Sequence, residues 1–303
     1  MNNNGKKHFT EVWPGPMEGV MKSAFIRTVA QMKLVSRWMT PFFRVTTHVP
    51  TKKHIEEFLE PFLASGLPVS GQIMGTDAEL LAETAKIMLS CGCFEVNFNC
   101  GCPSARVVSG NAGGGTLKDL QKLSDILIHL RQNIPTGQFS IKSRIGYDRL
   151  QIEKVLQTLI SNGQPDRLTI HCRSVKELYN PVSDKFTRFE NIIKSVKNCG
   201  METGQLILNG DIDSVETAVK VAEKAGSCGI MCARSWMNDP GLLKRIEGEY
   251  VENDENDENL KDIFFETFQT FNTSTGAELE IARMLWGGNS ERFRNLLTGR
   301  HDK

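Results

Sequence analysis

Residues 94–104 read Phe-Glu-Val-Asn-Phe-Asn-Cys-Gly-Cys-Pro-Ser. Through Asn99 apolar and polar side chains alternate with the period of a strand, and the Cys-Gly-Cys-Pro that follows ends it on a polar amide. The same event recurs in both directions along the chain. Downstream, Phe139–Arg144 closes on Lys142-Ser143-Arg144 and Arg167–His171 on His171-Cys172-Arg173. Gln205–Asn209 runs into Asn209-Gly210-Asp211, and Gly229–Ala233 into Ala233-Arg234. Upstream, Val69–Met74 carries Gln72, Leu34–Trp38 is apolar, and Phe9–Trp13 leads into Gly15-Pro16-Met17-Glu18-Gly19.

Between these runs the spacing changes to that of helices. Asp77–Ser90, Leu117–Asn133, Ile152–Ser161, Arg188–Asn198 and Ser214–Lys224 are amphipathic, with Thr76-Asp77 and Asp213-Ser214 as caps ahead of two of them. Eight strands alternating with helices over about 235 residues match the length of a (β/α)₈ TIM barrel. A doubly wound open sheet is the competing architecture, weakened because no G-x-G-x-x-G follows the first strand. After about Pro240 strand signals stop, and Leu260–Phe271 and Ala277–Trp286 read as helices. The expected organisation is a barrel over 1–240 and a small helical C-terminal domain over 241–303.

The bulk properties narrow the class. The chain has 303 residues, 40% of them hydrophobic and 24% charged, with no apolar run of membrane-spanning length. Its start, Met-Asn-Asn-Asn-Gly-Lys-Lys, does not read as a secretory signal, so a cytoplasmic location is expected. The net charge is zero but uneven. Residues 247–303 carry 13 acids against 6 Lys/Arg, much of the excess in Glu252–Glu258, so the rest of the chain is net positive and permits a polyanionic ligand. The last 21 residues turn basic again, with Arg283, Arg292, Arg294, Arg300 and Lys303. Eight cysteines without an export signal read as reduced thiols. Cys91, Cys93, Cys100 and Cys102 invite a zinc reading, but an intervening strand puts Cys93 and Cys100 ~23 Å apart, too far to share one tetrahedral ion. No metal is expected.

In a barrel, function collects at the C-terminal ends of the strands. Gln72, Asn99, Cys102, Lys142, Arg144, His171, Arg173, Asn209 and Arg234 all fall there, so amides, cations, an imidazole and a thiol converge on one mouth. Taken singly each has a bland explanation: a strand-end lysine is usually a surface cation, a lone glutamine a satisfied polar group. Together they suit a planar, hydrogen-bonding cofactor with a phosphate tail. Gly210 and the small residues near Ala233 admit a phosphate beside Arg234, and Gln72, Lys142 and Asn209 can address the polar edge of an isoalloxazine. Cys102 opens a loop containing Gly110, Gly113, Gly114 and Gly115, expected to be mobile and able to close over a substrate. A thiol there can serve as nucleophile, ligand or acid, or be structural. Cys100, on the same face if the segment stays extended, is its rival.

Read in order, these residues resemble the tRNA-dihydrouridine synthase family. The most specific pieces are Gly15-Pro16-Met17-Glu18-Gly19, Asn99-Cys100-Gly101-Cys102-Pro103-Ser104, Lys142-Ser143-Arg144, Ile170-His171-Cys172-Arg173 and Asn209-Gly210-Asp211-Ile212. The Asn-Cys-Gly-Cys-Pro-Ser form and Gly113-Gly114-Gly115-Thr116-Leu117 lean toward its C-type bacterial branch, which implies position 16 of the D-loop. The resemblance implies an FMN enzyme, with NADPH as reductant, that reduces the C5=C6 bond of a tRNA uridine. Cys102, directly before Pro103, becomes the catalytic acid. Pro16, Met17, Gln72, Lys142, His171, Asn209, Gly210, Asp211, Ala233 and Arg234 become cofactor-binding positions. Asn99, Arg144 and Arg173 become substrate-binding ones, and the C-terminal helices hold the tRNA. A monomer is expected. The chain departs from the family at Gly15 (usually Ala), Ala233 (usually Gly), Cys172 (usually Gly), Val108 and Asn111. Two rival readings fit part of the set: a flavin barrel reducing a small molecule such as a dihydropyrimidine or enoate, and a non-catalytic tRNA-binding protein on the same scaffold.

Overall fold

The computed structural model describes residues 9–248 and 254–298, with 254–258 described by backbone alone. Part of the acidic run (252–253), Arg300 and Lys303 lie outside the described residues. Among the described residues nine strands form one parallel sheet: β1 Phe9–Pro14, β2 Trp38–Met39, β3 Phe43–Arg44, β4 Val69–Met74, β5 Glu95–Cys100, β6 Phe139–Arg144, β7 Arg167–His171, β8 Leu206–Asn209 and β9 Cys228–Cys232. Hydrogen-bonded neighbours run β1-β9-β8-β7-β6-β5-β4-β2, with β3 also on β4. With helices between the strands, this is a (β/α)₈ barrel. The caps form as the sequence predicts: Asp77 accepts from the Leu80 N–H at 3.0 Å and Ser214 from that of Thr217 at 3.1 Å.

The second barrel strand departs from expectation. Leu34 and Val35 are buried but precede the strand, which comes as two halves on either side of Pro41. Met39 pairs with Ser70 and Phe43 with Ile73, so four steps on one side match three on the other. A proline cannot donate to the ladder, and the extra residue is absorbed there as a bulge. Thr40 stitches the break: its N–H donates to the Ser70 carbonyl at 3.0 Å, and its hydroxyl accepts from the Gln72 N–H at 2.9 Å. Between β1 and β2 the described residues form no ladder. The seam is spanned instead by an Arg37–Glu11 ion pair at 2.8 Å and by packing of Trp13 with Met39.

Outward-facing strand residues such as Val96, Phe98, Ile141, Leu168, Ile170 and Leu208 join the helices in one large core. The inward set is unusually polar. At the N-terminal end Glu95, fully buried, accepts from Ser70 (2.7 Å), Ser140 (2.9 Å) and Arg167 (3.0 Å), while Arg167 also bonds Glu11. Within this network every charged group has a partner, which offsets the cost of burying it. This network plugs the bottom and leaves the top open.

Helices 254–269, 275–286 and 291–298 follow the last strand. Phe264, Phe265, Phe268, Ile281 and Leu285 extend the same core as the barrel's helices, with the Phe264 ring tilted against Phe25 at 5.8 Å and Phe25 against Trp236 at 5.7 Å. No helix among the described residues is long and apolar enough to cross a membrane.

Candidate active site

The open end of the barrel is a cavity of about 670 Å³ lined by residues from most of the strand ends. It brings together Pro16, Met17, Gln72, Asn99, Cys102, Lys142, Arg144, His171, Asn209, Gly210, Asp211, Ala233 and Arg234. The alternation of side chains explains how. Gln72 and Asn97 share a register, as do Asn99 and Lys142, Arg144 and His171, and His171 and Asn209, so each points inward beside its neighbour. The amides lock one another: Gln72 donates to Asn97 at 2.8 Å, Asn97 to Ser140 at 2.9 Å, and Asn99 to Gln72 at 2.9 Å.

Asn99 also sets the loop that carries the thiol. Its side-chain oxygen accepts from the backbone N–H groups of Gly101 and Cys102, both at 3.0 Å. Gly101 is required here because a Cβ would lie 3.0–3.1 Å from the Ser143 backbone. The two rival cysteines separate cleanly. Cys100 faces the core, fully buried, and burial pushes its thiol up to about 12. Cys102 lines the cavity. Burial raises its pKa above the ordinary thiol value, with Glu18 adding to the rise and Lys142 and Arg144 opposing it. A thiol so placed stays protonated at neutral pH and is suited to give a proton rather than attack.

Two cavity groups have unused hydrogen-bonding capacity. Lys142 has one long contact, 3.4 Å to the Asn209 oxygen, and burial together with the nearby Arg144 lowers its pKa to about 8. His171 has a buried Nδ1 without a protein partner. Burial first, then the charges of Arg144, Lys142, Arg173 and Arg234, keep its imidazole neutral. A partly buried cation and an imidazole with an unpartnered nitrogen, both on the lining of one cavity, fit a polar, electron-accepting ring. Asn209 is itself fixed by donating to the Met231 carbonyl at 2.8 Å. On the rim Arg234 is more than half exposed, beside Gly210 (φ +111°) and Asp211 (φ +51°), where a phosphate would sit.

Two departures from the family pattern turn out to be one. A Cβ built on Gly15 would stand 2.6 Å from the Ala233 Cβ, and Gly15 already donates to the Cys232 carbonyl at 2.6 Å. The junction has room for one methyl, and this chain carries it at 233 instead of 15. Cys172 likewise leaves the cavity alone: it is fully buried among core residues on the outer face, with its sulfur toward Gly210. Val108 and Asn111 both receive Lys118, through a backbone carbonyl at 3.2 Å and a side-chain oxygen at 3.3 Å.

Other expectations need correcting. Arg173 does not reach the cavity. It is fully buried, donating to the Asn180 carbonyl at 2.7 Å and paired with Asp211. Asp211 is correspondingly turned toward Arg173 and, at 3.9 Å, toward Arg234. Arg144 does line the cavity but commits one nitrogen to the carbonyls of Ser174 (2.8 Å) and Leu178 (2.7 Å). The glycine-rich stretch is no free flap. Gly113–Leu117 are buried in a 3-10 turn, and a Cβ on Gly114 would meet Val175 at 2.6 Å and the Cys102 carbonyl at 2.9 Å. These glycines allow close packing under the thiol loop. Among the cavity residues that escaped the sequence reading are Pro41 and Phe42, from the strand break, and Tyr179, half exposed between the guanidinium groups of Arg144 (5.2 Å) and Arg234 (5.0 Å). Pro41 was a visible break signal; nothing local marked Tyr179.

A model of the family described as dihydrouridine synthase matches residues 14–281. Among curated relatives, the tRNA-dihydrouridine(16) synthase of Haemophilus ducreyi is 26% identical over 247 residues, covering 80% of this chain and 74% of its own. The protein of the same name from Pasteurella multocida is 25% identical over 238 residues, covering 77% and 74%. Of solved structures, the old yellow enzyme of Trypanosoma cruzi superposes with a TM-score of 0.56 at 8% identity over 80% of this chain and 89% of that one. The old yellow enzyme homologue of Zymomonas mobilis gives 0.55 at 11%, over 82% and 94%. At such identities these two speak to the shared barrel alone.

Proposed function

The chain belongs to the dihydrouridine synthase family, and from that premise we propose that it reduces the C5=C6 bond of a tRNA uridine to 5,6-dihydrouridine, with FMN as its flavin and NADPH as reductant. The observation that carries this reading is that a protonated thiol, a partly buried lysine and an imidazole with an unpartnered nitrogen line one cavity. A bound flavin, once reduced, supplies the hydride for C6. Everything else falls to the chain's own side chains.

Lys142 and His171, with Gln72 and Asn209, would hold the polar edge of a flavin, where the lysine's charge would stabilise negative charge on the ring. Pro16, Met17, Gly210, Asp211, Ala233 and Arg234 would surround its remainder and phosphate. Cys102 holds the proton that goes to C5. Asn99 keeps that thiol in place through the backbone, and Arg144 borders the uracil. Arg173 acts at one remove, through Asp211. The helices after residue 241 hold the tRNA, with Arg283 and Arg294 as exposed cations on two of them. A uridine must leave its stack to enter the cavity, costing a few kcal/mol, which phosphate contacts offset. The names of the relatives favour position 16 of the D-loop, and a tRNA substrate favours the cytoplasm.

Mass spectrometry of nucleosides from bulk tRNA, mapped by position with and without the gene, tests the reading. Loss of dihydrouridine at position 16 is the expected outcome. An unchanged profile, with no other synthase covering that site, would leave a flavin barrel acting on a small molecule.

A further inference from the structure

The loop after β7 presents two large apolar side chains side by side to solvent, Leu178 at 47% exposure and Tyr179 at 52%. Leu178 also has a φ of +52°, a conformation that a bulky L-residue rarely adopts and that glycine would take freely. This tip is not loose. Arg144 holds the carbonyls of Ser174 and Leu178, and Arg173 holds that of Asn180. Glu177 accepts from the Ser174 N–H at 2.7 Å and from both terminal nitrogens of Arg188 at 2.8 and 2.9 Å. A loop fixed from within keeps an exposed leucine in a strained conformation next in sequence to the cavity-lining Tyr179, where neither stability nor solubility asks for one. Strain held by its surroundings points to use.

We propose that Leu178 is an apolar wedge that packs against the RNA base next to the target uridine and occupies the gap left when that uridine turns into the cavity. Tyr179, whose ring lines the same cavity, forms the wall between the two. Inserted apolar side chains are a known means of holding bases apart, and a wedge works only if its backbone does not yield. The three arginines supply that stiffness. This inference rests on the tRNA reading above and adds to it the residue that separates the bases.

Two substitutions suit the positive φ and remove the wedge, Leu178→Gly and Leu178→Asn; a third, Leu178→Met, keeps an apolar side chain. The experiment reduces the flavin-loaded proteins and follows flavin reoxidation on mixing with unmodified tRNA. It also records tRNA affinity, melting temperature and reoxidation by oxygen. The expected result is a fall of ten-fold or more in the tRNA-driven rate for the Gly and Asn variants, with tRNA affinity within about two-fold, oxygen reoxidation unchanged and melting temperature equal or higher. Leu178→Met retains most of the rate. Wild-type rates in both the Gly and Asn variants would overturn the wedge, as would equal loss with oxygen as acceptor, which marks a merely structural role. If the wild-type flavin is not reoxidised by tRNA at all, the tRNA reading itself fails, and this result is distinct from the other two.

Discussion

At the scale of single residues, the arrangement around Cys102 makes the sharpest predictions. Cys102→Ala should keep its flavin and lose most turnover, because the thiol lines the cavity; Cys100→Ala should keep both, because that thiol faces the core. Stopped-flow reoxidation by tRNA reads the difference, and equal losses would leave the acid unassigned. A raised thiol pKa also predicts that proton delivery holds through the neutral range and fails only above the ordinary thiol value of 9.0. Lys142 carries a stability signature. Its pKa of about 8, against 10.5 when free, means that below pH 8 the native state holds a proton at a cost of up to roughly 3 kcal/mol. That figure is a ceiling, since the ammonium borders the open cavity. Between pH 8 and 10.5 the unfolded chain binds more protons at this site, so its contribution makes stability rise with pH. Lys142→Met should therefore raise the melting temperature of the flavin-free protein at pH 7, abolish that contribution and weaken flavin binding. Cys102 and Lys142 were both legible from the sequence because a strand end announces its direction. Arg173 was not: its distance from the mouth depends on Asp211 and Asn180, which the fold alone brings to it.

At the scale of elements, the junction of β1 and β9 holds a compensated pair. Gly15→Ala alone should destabilise by about 1–3 kcal/mol through overpacking against Ala233. Adding Ala233→Gly should recover most of that, giving a coupling of about 1 kcal/mol or more in a double-mutant cycle by urea denaturation. Additive effects would mean that the two positions do not share a methyl site. Beneath the thiol loop, Gly114→Ala would drive a methyl against Val175 and the Cys102 carbonyl. Turnover should fall at least roughly ten-fold while flavin stays bound, since small displacements of a reacting group slow the chemistry steeply. Five barrel helices and most strands could be read directly from periodicity, whereas the helices Ser23–Gln31 and Lys52–Leu63 were not picked out. The second strand could not, because an apolar run such as Leu34–Trp38 buries equally well before the strand or inside it, and Pro41 and the register with β4 decide which.

At the scale of the whole molecule, barrel and tail share one core. Truncation after residue 247 would bare Phe25 and Trp236 and remove three buried phenylalanines, each stabilising by roughly 1.5–3 kcal/mol. Charge substitution is the cleaner probe of the tail. The double variant Arg283→Ala, Arg294→Ala should weaken tRNA binding and leave flavin affinity unchanged. The slope of log affinity against log salt should flatten by about one for each phosphate that is no longer neutralised. Unaltered tRNA affinity would place the RNA-holding surface elsewhere on the molecule.

The sequence by itself determined the barrel and the roster at its mouth. Strand periodicity sets which side chains point inward, and barrel topology sends every strand's C-terminal end to the same face. Only the tertiary structure decided which of those groups are free to act. It turned Cys100 into the core and left Cys102 at the cavity, tied Arg173 to Asp211, and packed the glycine loop solid. It also brought Tyr179 to the cavity and left its neighbour Leu178 exposed and strained. Those outcomes turn on a side chain's partners across the barrel, and partners distant in sequence leave no mark on the local pattern from which a strand or helix is read.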